Sequence, residues 1–424
     1  MKILGITAEY NPFHRGHQYH LEQAKEITGA DITLVAMSGD FTQRGEPAIE
    51  DKWKRSKDAV QSGADLVFEL PFLFACNRAP YFAAGGVDHL IAAGATHISF
   101  GCEADDPADL LQLAADLQAN RDELRAQTQA NMQAGVSYAK AYESATAAIL
   151  GEDAAGLILQ PNNILAVEYL KRIGFWNEQG KDVVAVPVKR TGSGYRDSDD
   201  ETAYAGASFI RQNLGKTDVR RFLTEETAQL LLGEDNGRST ADDYAKAKAR
   251  YFDMLKAALL RSDSAELRDL YCIGEGLENR FLSEIAKADS LDAFVSGMVS
   301  KRYTAAAVQR MMTYILMGLK KETADRLMEH YLQDNLQEGA GATRYMRILA
   351  ASRKGRDYIK TFKKENNQEN DLQIITNRNK QMPSDPYSGE LLELDGKAAD
   401  LYNALFGRRL YDSSDKVLRP YIES

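Results

Sequence analysis

Cysteine is scarce in this 424-residue chain: Cys76, Cys102 and Cys272 are odd in number and far apart. No disulfide framework or CxxC-type zinc motif can be built from them, and a reducing setting is expected. No apolar run approaches the roughly 18 residues that span a bilayer, so no membrane contact is expected. The opening "MKILGITAEYN" has no apolar stretch followed by a small-residue cleavage site. No secretion signal is therefore expected, and the cytoplasm is the expected compartment. Internal repeats and low-complexity tails are also missing. So is a surplus of positive charge: the formal net charge is −10, which argues against indiscriminate nucleic-acid binding but leaves room for one basic face. What remains is an ordinary globular composition, 44% hydrophobic and 27% charged, long enough for two or three domains.

The first hundred residues alternate short apolar runs with helical segments. Strands are expected at Lys2–Ala8, Asp31–Met37, Ala64–Leu70, His97–Glu103 and Asp182–Arg190, each short and apolar as a buried parallel strand should be. Helices are expected near 16–28, 51–63, 81–93, 159–174 and 207–214, with a helical insertion over about 107–150. This spacing predicts right-handed βαβ units and an α/β, Rossmann-like fold with a parallel sheet. From about Asp218 helical periodicity takes over, and "LQIIT" (Leu372–Thr376) is the one later strand expected. "QEGAGA" (Gln337–Ala342) reads as a flexible break. Two domains are expected: 1–215, and a mostly α-helical 216–424.

"NPFHRGHQYHL" (Asn11–Leu21) follows the first strand and holds three of the six histidines. A metal reading is weak. His14, His17 and His20 stand at i, i+3 and i+6 and drift around a helix, with no HExxH-type carboxylate. A phosphate reading is better supported. Ligands of open α/β sheets bind at the carboxyl ends of strands. Pro12 stiffens the turn, Gly16 allows close approach, and the helix start offers free N–H groups and a positive dipole end. His14 and His17, bracketing the glycine, can donate to phosphate oxygens and gain charge near neutral pH. That is equipment for stabilising a phosphoryl transition state.

HxGH after a first strand resembles the mark of the nucleotidyltransferase and class I synthetase superfamily. The longer strings "GITAEYNPFHRGHQYHL", "MSGDFTQRGEPA", "ADLVFELP", "PNNILAVEYL" and "KRYT" are similar to the bacterial tRNA(Met) cytidine acetate ligases over most of the chain. The resemblance implies activation of acetate by ATP to acetyl-adenylate, then acetyl transfer to N4 of the wobble cytidine of elongator tRNA(Met). It also implies His14 and His17 as catalytic residues. The ATP cradle would run from Thr7 through Glu9, Asn11, Pro12, His14, Gly16 and His17 to His20, with Gly101, Asn162 or Asn163, and Arg190. "GASFIR" resembles a Ser-x-x-Ile-Arg signature, although one residue alone separates Ser208 from Ile210. Ser208 would cap the helix and Arg211 would reach the pyrophosphate. Asp40 could orient a group near the acyl site or hold a magnesium water. Magnesium is expected to travel with ATP, without a dedicated metal site.

RNA binding is expected along Arg344–Lys364, where eight Lys/Arg face one acid, Asp357, and Tyr345, Tyr358 and Phe362 are interleaved. This suits phosphate contact with base stacking. Arg344, Arg347, Arg353, Lys354, Arg356 and Lys360 are the candidates there, and "SKRYTAAAVQR" adds Lys301, Arg302 and Arg310. No obligate protein partner is evident. Two other readings share the HxGH head: a nucleotidyltransferase acting on a phosphorylated cofactor precursor, and a non-catalytic RNA-binding module. The first needs neither some two hundred further residues nor a basic face. The intact His14, Gly16 and His17 speak against the second.

Overall fold

A computed structural model describes every residue except 105, 135, 137, 191–203, 217, 234–238, 338–343, 366–371, 412–414 and 424. The five expected runs form β1 (Ile3–Ala8), β2 (Ile32–Ser38), β3 (Leu66–Leu70), β4 (His97–Cys102) and β5 (Val184–Lys189). They pair in parallel in the order β5-β4-β1-β2-β3. Successive side chains take opposite faces of the sheet. Ile32, Leu34, Leu66 and Phe68 enter one core with the later helices, while Leu4, Ile6, Val35 and Val67 enter the other with Leu21, Ala24 and Ala59. Both faces are thus covered, as a parallel sheet requires.

The helices that matter for the site are α1 (Arg15–Thr28), α2 (Lys52–Gln61), α3 (Ala79–Ala92), α4 (Pro161–Glu178) and α5 (Ala207–Asn213). Four helices between Pro107 and Leu159 form the insertion. Beyond it come α6 (Thr240–Arg261), α7 (Leu291–Met298) and α8 (Ala305–Met317), among other helices. The glycine-rich break expected at 337–342 lies, apart from Gln337, outside the described residues. Among the described residues no helix is long and apolar enough to cross a membrane.

One segment departs from expectation. Residues Tyr345–Ala351 are not part of a basic helix. They form β6, buried at all seven positions and antiparallel to β3. The expected strand is β7 (Gln373–Ile375), parallel to β6, and β8 (Tyr421–Ile422) pairs with the other end of β6. The mostly helical later part of the chain therefore completes the sheet of the first part. Arg347 is a correction to the RNA-binding set, because its side chain is fully buried. It donates to the Asp415 carbonyl at 3.1 Å and lies over the Trp53 ring. Burial lowers its pKa, opposed by Asp415, Glu69 and Asp395. The interleaved aromatics are corrected too. Tyr345 and Tyr358 are buried and donate to Asp395 and to the Ala93 carbonyl, and Phe362 packs in the core. The spacing of charges along a chain does not reveal which of them a strand turns inward.

After β6, α9 (Arg353–Glu365) keeps Arg353, Lys354, Arg356 and Lys360 exposed. It starts against Asp65, ahead of β3, through Ser352, and Tyr358 ties it to Ala93, ahead of β4. The basic face therefore lies at the amino ends of the parallel strands. α10 (Pro386–Leu405) covers the core near Phe72.

Candidate active site

The chain leaves β1 towards β2 on one side, and β4 lies on the other. The connections diverge at the carboxyl ends of β1 and β4, which opens a crevice there. The HxGH turn fills its mouth. Tyr10 takes a left-handed backbone (φ 49°) and the Asn11–Pro12 peptide is cis. The buried Asn11 side chain accepts from the Ile49 N–H at 2.8 Å.

His14 is the N-cap of α1, and its Nδ1 accepts from the Gly16 N–H at 3.0 Å. That bond assigns the tautomer: a neutral ring with Nδ1 as acceptor carries its proton on Nε2, as a donor. The His14 and His17 rings stack with centroids 3.7 Å apart, and His17 packs edge-on against Tyr10. A Cβ on Gly16 would come within 2.8 Å of His14 Cε1. The close approach that Gly16 permits is thus that of the His14 ring itself. Among the described residues His17 Nδ1 is buried without a hydrogen-bond partner, a polar atom left for something else to satisfy. His20 is hydrogen-bonded to Ser99 of β4 at 2.9 Å.

Burial is the first cause that pushes the His14 pKa down to about 3, with Arg190 and Arg211 adding to it. Burial and the neighbouring His14 put His17 well below the usual imidazole range, and burial with Arg190 takes His20 to about 4. The expectation of imidazoles charged near neutral pH is therefore corrected for the unliganded chain. They are neutral, and a neutral His14 ring can donate through Nε2 without a charge.

Two arginines flank the pair. Arg211 donates to the Asn11 carbonyl and to Ser208 Oγ at 3.3 Å, and pairs with Glu46 at 3.5 Å. Arg190 follows β5, beside Gly101 of β4; a Cβ on Gly101 would lie 3.3 Å from its stem. Ser208 does not cap α5: Gly206 is the N-cap, and Ser208 accepts from Arg211 in the first turn instead.

The two asparagines separate cleanly. Asn163 is fully buried; its oxygen accepts from the Glu103 N–H, and its nitrogen donates to the Leu157 carbonyl and to Gln160. Every polar atom it has is used inside the protein. Asn162 is half-buried, donates to Glu103, and lies 3.5 Å from an Arg190 nitrogen. Thr7 lies near the end of β1, and Glu9 accepts from the Gln43 N–H at 2.7 Å.

Asp40 does not reach the crevice. It is buried, accepts from the Lys52 N–H at 2.9 Å and lies 3.9 Å from the Lys52 ammonium, itself held by Glu69 and Asp415 at 2.7 Å each. Among the described residues no three His, Cys, Asp or Glu side chains are arranged to hold a metal ion. Lys301 and Arg302 are exposed just before α8, with Arg302 paired to Glu275. Arg310 donates to the Gln43 carbonyl at 3.1 Å, beside the crevice. Arg344 is exposed at the start of β6. Three residues at the crevice carried no sequence signal of their own: Glu46 inside "QRGEPA", Ser99, and Glu103 after β4. Each is recognisable by its partner alone.

A family model described as HIGH Nucleotidyl Transferase matches residues 1–416. A tRNA(Met) cytidine acetate ligase of Caldicellulosiruptor saccharolyticus is 35% identical over 407 residues, covering 95% of this chain and 94% of that protein. One of Leuconostoc mesenteroides is 36% identical over 372 residues, covering 86% and 87%. The crystal structure of apo Thermotoga maritima TmcAL matches with a TM-score of 0.84 at 28% identity, covering all of both chains. The same protein bound with alpha-thio ATP matches with a TM-score of 0.83. The chain belongs to the HIGH nucleotidyl transferase family and, within it, to the tRNA(Met) cytidine acetate ligases.

Proposed function

We propose that this protein is an ATP-dependent ligase that activates acetate as acetyl-adenylate and passes the acetyl group to N4 of the wobble cytidine of elongator tRNA(Met). One observation carries the reading: a stacked, neutral His14–His17 pair, with His14 Nδ1 held by the Gly16 N–H so that Nε2 carries the proton, flanked by Arg190 and Arg211 where β1 and β4 diverge. The names of the relatives and the nucleotide-bound relative support it.

In the first step an acetate oxygen attacks the α-phosphorus of ATP and the bond to pyrophosphate breaks. Donors fixed before the reaction stabilise the charge that develops, at no reorganisation cost. His14 Nε2–H and the start of α1 supply such donors, and Arg211 steadies the leaving pyrophosphate. As the phosphates approach, their charge raises the imidazole pKa values, so the pair can gain a proton on binding. Asn162, rather than Asn163, serves the nucleotide beside Gly101 and Arg190. In the second step cytidine N4 attacks the acyl carbon, AMP leaves, and N4 loses a proton. The wobble base must be unstacked, as bases in an anticodon loop can be.

Glu9, Glu46 and Glu103 are each engaged by protein donors. Among the described residues no three His, Cys, Asp or Glu side chains are arranged to hold a metal ion, so a magnesium ion would be carried by the phosphates. Residues 1–215 would handle the nucleotide, and the helices beyond 216 the RNA. Arg310, beside the Gln43 carbonyl, and the exposed Lys301 and Arg302 would meet RNA phosphates. Arg344 and the exposed Arg353, Lys354, Arg356 and Lys360 suit phosphates of the RNA away from the anticodon. The cytoplasm, where ATP and tRNA meet, is the working compartment.

The test uses labelled acetate and ATP, with and without bulk tRNA. Acetate-dependent pyrophosphate release and label retained on tRNA support the ligase. Adenylyl transfer to a small phosphorylated molecule, or no pyrophosphate release under any condition, would sink it.

A further inference from the structure

One cleft outside the HxGH turn is linked to it through Glu46. It has a volume of about 160 Å³ and lies between the 45–47 turn, α6, α7 and α8. For scale, an engineered protein cavity of about 150 Å³ holds one benzene ring. The cleft is therefore large enough for a single pyrimidine ring. Its faces are apolar or aromatic, with Tyr244, Tyr251, Val295 and Met312 on its walls. Five polar side chains break that lining, Glu46, Lys248, Asp292, Ser296 and Gln309, with Lys248 3.9 Å from Asp292.

Glu46 makes that link. One carboxylate oxygen accepts from Gln309 at 2.9 Å and the other lies 3.5 Å from Arg211. Arg211 in turn donates to the Asn11 carbonyl, three residues before His14. The cleft is thus one ion pair away from the phosphate-binding groups.

We propose that this cleft receives the unstacked cytosine and that Glu46 recognises its N4 amine and takes its proton. This rests on the ligase reading above. The Watson–Crick edge of cytosine offers an amine donor beside two acceptors. Glu46 meets the amine, as carboxylates do in reading cytosine, and the Lys248 ammonium suits an acceptor. Uracil carries an oxygen where cytosine carries the amine, and that oxygen would face the carboxylate. In the transfer step the N4 lone pair forms the bond to the acyl carbon. The bond from that carbon to the AMP oxygen breaks, and the N4 proton passes to Glu46 and then to water.

The experiment measures, on the full chain, acetate-dependent exchange of pyrophosphate into ATP, acetyl transfer to tRNA(Met), and inhibition of that transfer by two anticodon stem-loops. The loops carry cytidine or uridine at the wobble position. Native protein should prefer the cytidine loop by about tenfold or more. Glu46→Gln should lower the ratio of transfer to exchange by about 100-fold. It should also erase or reverse the preference, since an amide can donate to the uracil oxygen. Lys248→Met, on the opposite wall, should shrink the preference and gives an answer even if Glu46→Gln does not fold. Equal inhibition by both loops, or variants that keep the native ratio and preference, would overturn the proposal while leaving the ligase reading intact. Native protein without acetate-dependent exchange would overturn the ligase reading itself.

Discussion

The two ends of the parallel sheet use positive charge in opposite ways. At the carboxyl end, Arg190, Arg211 and Arg310 are each tied to a neighbouring residue: Asn162, Glu46 and the Gln43 carbonyl. The histidines between them are neutral. At the amino end, Arg353, Lys354 and Arg356 stand exposed on one helix. The first arrangement fixes geometry before a ligand arrives, which is what chemistry on phosphorus rewards. The second offers a field to any polyanion and little position. Held cations mark a reaction site, and exposed ones mark at most a contact.

The largest effect that would test this contrast comes from His14→Ala. Acetate-dependent pyrophosphate exchange should fall by about 10²–10³-fold, with tRNA affinity within about twofold of native. Equal loss of both would mean that the two ends are not separate sites. Next is Arg211→Ala, expected to raise the KM for ATP by roughly 10–100-fold, the size of one lost charge-assisted hydrogen bond. Arg211→Lys should rescue it poorly, because an ammonium cannot reproduce the fork that reaches Asn11 and Ser208 together.

The asparagine pair sharpens the comparison within one turn of helix. Asn163→Ala strands the Glu103 N–H and two acceptors, so it should cost about 2–3 kcal/mol in denaturant unfolding while leaving KM alone. Asn162→Ala should raise KM and leave stability alone. Reversal of the two would exchange their roles.

The neutral histidines predict an acid limb of stability. Their folded pKa values lie below the ordinary 6.5, at about 3 for His14 and about 4 for His20. The unfolded chain therefore takes up protons first as pH falls. The stability that these histidines contribute is complete above about pH 6.5 and drains away towards the folded values. A melting series should show Tm falling by roughly 5 °C between pH 6.5 and 4. Saturating ATP should shrink that drop, because the phosphates restore the imidazole pKa. A flat profile would mean that the pair is not held neutral.

The smallest effect belongs to the other end of the sheet. Replacing Arg353, Lys354 and Arg356 with alanine should weaken tRNA binding about fivefold and flatten its dependence on salt, by up to about one power per residue removed. Exchange with pyrophosphate should not change. Binding that ignores the substitution would remove α9 from the RNA contact.

Much of this was legible in the residues. The five parallel strands appear as short apolar runs because both of their faces are buried, and that demands apolar residues at every position. The HxGH turn is legible because its parts are contiguous and each has a local job. β6 was not. Tyr345–Ala351 is as apolar as β2 except for Arg347, and its neighbours Arg344, Arg353 and Lys354 lend the stretch a charge that only the flanks expose. Ser208 misled for a related reason: a serine at a helix start reads as a cap, while the glycine before it holds that place.

From the chain alone come the α/β class, the order of strand and helix as far as β5, and the chemical kind of the ligand, because periodicity and the HxGH motif act over distances that the backbone spans directly. The tertiary structure alone decides which asparagine is spent inside the protein, which arginines are held, and that the histidines are neutral. Those are properties of burial and of partners brought together by folding, up to 363 residues apart for Lys52 and Asp415, and desolvation has no signature in one dimension.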